Sequence, residues 1–245
     1  MFERYLLVML LGHVIADFYT QTEIVAEKKK KEFGVVVRHS ILYFLTITLV
    51  IIPIFSWEIL IMDVVISISH AVIDIGKYFY CYKKGKYSPL VFVLDQSFHL
   101  ASLFLVSYIW TKRKISIHFL NIVADFFYVS KISPLFLCKW LLGLLIIYKP
   151  SNILIQKLIG SYKPKQSVDN IIVNMQAGRK IGTLERFVML ILLYLQQYSA
   201  IGLVLTAKSI ARYDRITKDA VFAEYYLLGT LISVGISVGC AVVLF

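Results

Sequence analysis

The chain has 245 residues, of which 59% are hydrophobic and 17% are charged, and its mean hydropathy is +0.75. A soluble domain has about 45–50% apolar and about 25% charged residues, so this chain has too little polar surface to cover a water-facing protein. The same composition excludes intrinsic disorder and collagen, and the wide spacing of the three cysteines excludes a disulfide scaffold. The sequence predicts an all-α integral membrane protein whose main partner is the lipid bilayer.

The formal net charge is +11, from 26 lysines and arginines against 15 aspartates and glutamates. In an apolar chain, such an excess is typical of cytoplasmic loops near anionic headgroups. We expect no nucleic acid as a partner, because the basic residues form no stripe interleaved with aromatic side chains. The expected location is the inner (cytoplasmic) membrane of the cell, as a multi-pass protein.

Runs of about 20 apolar residues are long enough to cross a bilayer core of about 30 Å. The first run contains His13 and Asp17 and has no small-residue cleavage site, so we interpret it as a retained helix and not as a signal peptide. The pattern predicts a polytopic bundle of about eight membrane helices. In chain order they cover residues 2–21, 35–54, 59–80, 89–110, 133–148, 184–197, 200–212 and 220–244.

The segment between the fourth and fifth runs, residues 112–131, has a different pattern. The apolar side chains that share one helical face are Ile115, Phe119, Ile122 and Phe126. That spacing favours a helix lying in the membrane interface, with His118 as a solvated side chain. The chain is therefore predicted to comprise a four-helix membrane module at residues 1–111 and a C-terminal membrane region at residues 112–245, with interfacial segments and about four helices.

The lysines indicate an orientation. The connections after the first and third helices contain the lysines of residues 28–31 and 83–86, whereas the connection after the second contains none. Cytoplasmic loops carry the excess of positive charge, so these two connections are expected inside and the N-terminus outside. The basic residues 112–114 would then lie outside, which counts against this orientation.

Imidazoles and carboxylates recur at helical spacing in the N-terminal half. Two helices carry an H-x3-D pair and a third carries the reversed D-x3-H pair, so each pair lies on one helix face. Because successive helices alternate in direction, all these residues are expected on the side of the lysine-rich connections. The set comprises His13 with Asp17, His39 alone, His70 with Asp74, and Asp95 with His99.

Three carboxylates and four imidazoles inside apolar helices need partners, since one aspartate at the bilayer centre costs about 2.5–3.5 kcal/mol. A divalent metal satisfies both ligand types, and this ligand set suits Zn²⁺, Mn²⁺ or Fe²⁺. The residues could hold one metal, with aspartates that orient its histidines, or two metals. Internal His–Asp hydrogen bonds and a proton or ion pathway are the alternatives.

The segments around these residues read LGHVIADFYTQ, RHSILY, SISHAVIDIGKY and LDQSFHLASL. In order and spacing they resemble an uncharacterised bacterial integral-membrane family known only as a domain of unknown function. The resemblance covers about residues 1–110 and includes Gln21, Ser69, Lys77 and Gln96. We expect Gln21, Lys77 and Gln96 to surround the His/Asp set and to contact its side chains without binding the metal themselves. The pattern is also similar in style to membrane-bound metal-dependent hydrolases with His/Asp-bearing helices.

Charged residues also interrupt the apolar runs of the C-terminal third. They are Glu185, Arg186, Lys208, Arg212 and Glu224. Lys208 and Arg212 lie four residues apart on one face and cannot neutralise each other, so we expect ion pairs with Glu185 and Glu224 across helices, or side chains that extend to the interface. The alternative is a clamp for an anionic headgroup or phosphate, for which arginine offers forked hydrogen bonds.

The working hypothesis is a divalent-metal hydrolase at the cytoplasmic membrane face with a lipid-linked or amphiphilic substrate. The metal would lower the pKa of bound water towards about 7 and polarise an ester or phosphoryl oxygen. The first-choice ligands are His13, His70 and His99; His39 is least certain, because no carboxylate lies four residues away. The residues expected as ligands, orienting groups or general base are Asp17, Asp74 and Asp95. A proton- or ion-coupled transporter or channel and a non-catalytic membrane scaffold are the alternatives.

Overall fold

The computed structural model describes residues 1–84, 88–115, 117–162 and 168–245, with the backbone alone for Lys84 and for residues 168–177. Lys86, one of the lysines that indicate the orientation, lies outside the described residues. Every regular element in the described ranges is helical. They form two compact units, Met1–Leu142 and Gly143–Phe245. The predicted division between residues 111 and 112 concerns the modules that carry function, and it stays a prediction.

The first unit contains α1 (Phe2–Val14), continued by a π-helical turn (Ile15–Tyr19), then α2 (Glu23–Lys28), α3 (Phe33–Ile51) with a 3-10 turn (Ile52–Ile54), α4 (Trp57–Lys84), α5 (Pro89–Lys112) and α6 (Asn121–Ser130). The boundary between the units falls within α7 (Pro134–Ile159). The second unit continues with a 3-10 turn (Gly160–Tyr162), α8 (Val168–Tyr194), α9 (Tyr198–Ile210), α10 (Tyr213–Lys218) and α11 (Ala220–Leu244).

Four helices of the first unit form a bundle, in which α1 and α4 each pack against both α3 and α5. Its apolar core includes Tyr5, Ile47 and Met62. The outward face is also apolar, since Leu49 is 66% and Phe98 61% exposed. Apolar side chains on both faces are typical of a helix bundle that contacts lipid.

Five described helices have the length and hydropathy of a membrane span, which indicates a multi-pass helical membrane protein. They are Phe33–Ile54, Trp57–Lys83, Pro89–Lys112, Pro134–Tyr162 and Ala220–Leu244. The described residues do not support the predicted number of about eight. The first run changes from α- to π-helix after Val14, and α9 has 13 residues. The part of α8 whose side chains are described contains charged residues at two places, the neighbours Arg179 and Lys180 and the neighbours Glu185 and Arg186.

Helix α7 continues through Pro150 to Ile159, although the sequence predicts its end at Tyr148. Proline has no N–H group to donate to the carbonyl four residues earlier, which here belongs to Ile146. The Ser151 hydroxyl donates to this carbonyl at 2.7 Å instead. A side-chain hydrogen bond therefore replaces the missing backbone bond, and the helix does not end.

The sequence predicts a helix over residues 112–131, and in the described part of this segment the helix that follows α5 covers Asn121–Ser130. The chain before α6 packs back on the bundle instead. Its Ile115 carbonyl accepts from the Tyr5 hydroxyl, and its Leu120 N–H donates to the Pro53 carbonyl at 2.9 Å. His118 is exposed, as expected of a solvated side chain.

Candidate metal centre

Asp17 lies in the π-helical turn that follows α1. In this turn the N–H of Thr20 donates to the carbonyl of Ile15, five residues earlier, at 3.1 Å. The wider turn changes the direction of Asp17 from that of an α-helix. Its carboxylate contacts His39 and His70, whereas no hydrogen bond or ion pair joins it to His13, the neighbour predicted from the i,i+4 spacing.

The other two predicted pairs keep α-helical spacing. In α4, Asp74 Oδ2 lies 3.9 Å from His70 Nδ1, and in α5, Asp95 Oδ1 lies 3.6 Å from His99 Nε2. The rings of His70 and His99 stack with centroids 4.3 Å apart. These contacts join the two helices at the end of the bundle where α1 and α4 end and α3 and α5 begin.

Asp17, His39 and His70 form one group that could hold a metal ion, with one ligand atom from each within 4.8 Å of the others. The Nε2 atoms of His39 and His70 lie 3.3 Å and 3.8 Å from Asp17 Oδ1. Ligand atoms of a tetrahedral zinc ion with bonds of about 2.1 Å are about 3.4 Å apart. The separations therefore suit ligands arranged around one small ion.

Asp74, Asp95 and His99 form a second such group. His99 Nε2 lies 3.9 Å from Asp74 Oδ1. The two groups adjoin, since Asp74 Oδ2 is 3.7 Å from His39 Nε2. The structure thus brings six of the seven predicted residues into two neighbouring sets of three ligands, and His13 lies in neither set.

Several nitrogen atoms of the buried imidazoles have no hydrogen-bond partner within the described part of the chain. They are Nε2 of His13, His39, His70 and His99, with Nδ1 of His70 and His99. Asp95 Oδ1 is buried without a partner as well. Buried polar atoms are nearly always hydrogen-bonded in folded proteins, and both atom types are metal ligands. The chemistry of these donors therefore fits a divalent metal.

A family model described as "Protein of unknown function (DUF3307)" matches residues 5–128, just over half of the chain. The chain belongs to this family. The match confirms the resemblance to a domain-of-unknown-function family that the sequence segments carry, and its range contains all seven His/Asp residues. No curated protein and no solved structure matches the chain. The family description names no activity, so function must be inferred from the site.

Within the family domain, three predicted supporting residues lie at the site or close to it along the chain. Lys77 Nζ donates to Asp95 Oδ2 at 2.6 Å. Gln96 Nε2 donates to Asp17 Oδ2 at 2.9 Å, and so links α5 to the π-helical turn. Gln21 is half-buried, two residues after that turn.

Two further residues belong to this site and are not among those predicted from the sequence. Tyr43 stacks on His70 with ring centroids 3.6 Å apart, and its hydroxyl lies 2.9 Å from His13 Nδ1. Its i,i+4 spacing from His39 is the signal that could have found it. Lys29 was counted only as a loop cation, yet it is buried and its Nζ donates to Asp74 Oδ2 at 2.6 Å.

A third missed residue is Asp63, a fully buried carboxylate in α4, seven residues before His70. The hydroxyls of Thr48 and Ser67 donate to its two oxygens at 2.7 Å and 3.0 Å. No lysine, arginine or histidine pairs with it in the described ranges. An acid within the apolar run of α4, seven residues before His70, was the available signal.

The charged residues of the second unit divide into paired and unpaired groups. Lys208 pairs with Glu185 at 2.7 Å across α9 and α8, as one of the predicted ion pairs requires. Arg212 and the exposed Glu224 form no ion pair among the described residues. Arg186 is only 1% exposed and directs its guanidinium into the unit.

Four acceptors surround the Arg186 guanidinium, and none is charged. Nε donates to the Ile147 carbonyl at 2.8 Å, and the terminal nitrogens donate to Asn152 Oδ1 at 2.7 Å and to the hydroxyls of Thr183 and Ser233. An arginine has five N–H donors, so this side chain is nearly saturated. Its contacts favour a structural role over a clamp for an anionic headgroup.

Proposed function

We propose that the first unit is a divalent-metal hydrolase that acts at the cytoplasmic membrane face on a lipid-linked or amphiphilic substrate. The observation that carries the proposal is the set of buried imidazole nitrogens without hydrogen-bond partners beside three carboxylates. Internal His–Asp hydrogen bonds, the structural alternative, would pair these nitrogens. In the described ranges, only His39 Nε2, 3.3 Å from Asp17 Oδ1, lies within hydrogen-bond distance of a carboxylate, and the other His–Asp separations are 3.6–3.9 Å.

The ligand assignment follows from the two groups. Asp17, His39 and His70 are the preferred ligands, because their atoms converge and no lysine contacts Asp17 in the described part of the chain. His39, the least certain ligand on sequence grounds, is therefore one of the three ligands that we propose. His13 is placed beside the centre, where Tyr43 holds it through Nδ1.

A bound divalent metal would supply an activated water and polarise an ester or phosphoryl oxygen. The atom we assign to take up a proton is Asp95 Oδ1, since it is buried beside His99 without a hydrogen-bond partner in the described residues, while Oδ2 pairs with Lys77. Exposed apolar side chains such as Phe79 and Leu90 near this end of the bundle suit an acyl chain that stays in the bilayer.

Metal analysis of the protein purified in mild detergent tests the proposed centre. The protein loaded in turn with Zn²⁺, Mn²⁺ and Fe²⁺ is expected to retain one of them after dialysis. Asp17→Asn/His39→Ala/His70→Ala should lose it, whereas His118→Ala and Asp125→Asn, which change an exposed histidine and an exposed aspartate of the same unit, should not. Equal retention by all these variants would overturn the proposal.

Hydrolysis itself needs a separate assay, because metal binding alone does not define a reaction. Chromogenic p-nitrophenyl esters of fatty acids and of phosphate, presented in mixed micelles, cover both ester classes. The loaded protein should cleave one class faster than the Asp17→Asn/His39→Ala/His70→Ala variant does, and a chelator should abolish the difference. Identical rates for protein and variant on both classes would count against hydrolysis.

The cytoplasmic location of the centre can be tested by labelling. In a cysteine-free background, Lys31→Cys introduces a thiol at an exposed position between α2 and α3, at the same end of the bundle as the centre. Because this segment is rich in lysine, we expect a membrane-impermeant maleimide to label it in inside-out vesicles and not in intact cells. Labelling in intact cells would place the centre on the other face.

Proton- or ion-coupled transport is the second candidate, and Asp63 is the observation that favours it. Its buried carboxylate, with Thr48 and Ser67, adds polar groups two helical turns, about 10.5 Å, from His70. Intramembrane carboxylates commonly mark ion pathways. Transport predicts a proton flux in proteoliposomes that Asp63→Asn abolishes, whereas the hydrolase predicts that this variant retains metal and hydrolysis.

A further inference from the structure

The two ligand groups of the metal centre differ in charge. Both carboxylates of the second group already pair with ammonium groups, since Lys29 Nζ is 2.6 Å from Asp74 Oδ2 and Lys77 Nζ is 2.6 Å from Asp95 Oδ2. Lys77 Nζ also lies 3.6 Å from Asp74 Oδ1. Asp17 accepts a hydrogen bond from the neutral amide of Gln96 and contacts His39 and His70, and it forms no ion pair with a lysine in the described ranges. The two lysines thus supply the positive charge that a second metal would otherwise supply to Asp74 and Asp95.

The charges of the centre then decide which substrate it attracts. Three carboxylates against two ammonium groups leave one negative charge when the imidazoles are neutral. One divalent metal at Asp17, His39 and His70 reverses this sign, so the loaded centre carries a net positive charge inside a low-dielectric bundle. Such a site favours an anion, because unpaired charge is costly away from water.

Lys29 has donors left for that anion. An ammonium group has three N–H donors, and Lys29 forms one hydrogen bond, to Asp74. Asp74 Oδ2 is also 3.7 Å from His39 Nε2, so Lys29 and the first ligand group are neighbours of the same oxygen. An anion bound to the metal would therefore lie close to this ammonium group.

We propose that a single metal binds at Asp17, His39 and His70, and that Lys29 binds the phosphate group of the substrate beside that metal. The carboxylates of Asp74 and Asp95 balance the charges of Lys29 and Lys77. This inference rests on the proposed metal centre and narrows its substrate to phosphate esters. The phosphate group could belong to a lipid headgroup or to a water-soluble ester. Dianionic phosphate suits a site built from a divalent metal and ammonium groups.

Binding of inorganic phosphate to the metal-loaded protein, measured by calorimetry in detergent, is the test. Lys29→Met should weaken phosphate binding about tenfold or more, the value of one charge-assisted hydrogen bond. Lys31→Met is the matched control, because Lys31 is exposed in the same segment, and it should change binding less than about twofold. The chelator-treated protein should bind phosphate weakly or not at all.

Two further variants separate loss of the anion site from loss of the fold. Lys29→Arg keeps the charge and should retain phosphate binding. Lys29→Met/Asp74→Asn removes both partners of the ion pair, so that no lone carboxylate is left buried. Its phosphate binding should remain as weak as that of Lys29→Met. Retention of normal phosphate affinity by the double variant would overturn the assignment of Lys29.

Binding of short-chain phosphatidic acid, with phosphatidylcholine as the lipid control, distinguishes the two sources of phosphate. Lys29-dependent binding of phosphatidic acid alone assigns a lipid headgroup, and Lys29-dependent binding of inorganic phosphate alone assigns a water-soluble ester. A protein that retains metal but binds neither overturns this inference and leaves the metal centre intact. A protein that retains no metal overturns the proposed function first.

Discussion

Tyr43 connects two imidazoles of the centre, since its ring stacks on His70 and its hydroxyl contacts His13. Tyr43→Phe should keep the stack and the bound metal and lower the free energy of unfolding by about 1 kcal/mol, the value of one hydrogen bond. Tyr43→Ala should cost about 3–5 kcal/mol, because it leaves a cavity, and weaken metal retention about tenfold. Thermal unfolding and metal analysis in detergent measure both effects; equal behaviour of the two variants would contradict this role.

Arg186 illustrates a buried cation satisfied without a carboxylate. Lysine cannot reproduce the forked donors that reach Ile147, Asn152 and Ser233. Arg186→Lys should therefore lower the free energy of unfolding by about 2–4 kcal/mol, because buried acceptors lose their donors. Arg212→Lys, a change at a partly exposed arginine, should stay within about 0.5 kcal/mol. A thermal unfolding series in detergent decides the matter, and an unchanged Arg186→Lys would remove the structural role.

At the scale of elements, the approach of α1 to α3 positions the first ligand group. A Cβ atom at Gly12 would lie 3.1 Å from Ile47 Cγ1, whereas a Cβ at Gly34 would meet nothing within 4 Å. Gly12→Ala should separate the two helices, cost about 1 kcal/mol of unfolding free energy and weaken metal retention. Gly34→Ala should be neutral or stabilising by up to about 1 kcal/mol, because alanine favours helix. Matching melting curves for the two variants would show that the contact does not matter.

Local spacing predicts contacts only where the helix stays regular. The pairs His70–Asp74 and Asp95–His99 follow i,i+4 spacing and are in contact. His13 and Asp17 have the same spacing, but the π-helical turn redirects Asp17 to the histidines of α3 and α4. No residue type in this turn signals the extra residue, because the π-turn is stabilised by contacts from other helices. For the same reason, the contact between His39 and Asp17 has no signal in the sequence, since no carboxylate lies four residues from His39.

Helix ends show the same limit. Pro89 begins α5 as its position in a first turn predicts. Pro150 also predicts a helix end, yet α7 continues, because the hydroxyl of Ser151 replaces the missing donor. The contacts of Ile115 and Leu120 with the bundle likewise override an amphipathic pattern, and α6 begins at Asn121.

For the whole molecule, composition predicts the all-α membrane class, and five described helices are long and apolar enough to support it. Composition cannot predict how many apolar runs become full spans, since an apolar run can also form a short helix, as Tyr198–Ile210 does. It also cannot show that polar residues of four helices meet, which depends on how the bundle packs. The proposed function therefore depends on one shared centre in the first unit.

An experimental map of the metal-loaded protein, with anomalous diffraction recorded at the absorption edge of the bound metal, tests that centre most directly. We expect a single anomalous peak about 2.0–2.2 Å from a carboxylate oxygen of Asp17 and from the Nε2 atoms of His39 and His70, with Lys29 and Lys77 still beside Asp74 and Asp95. A peak elsewhere in the chain, or no peak in a sample that retains metal, would contradict the account.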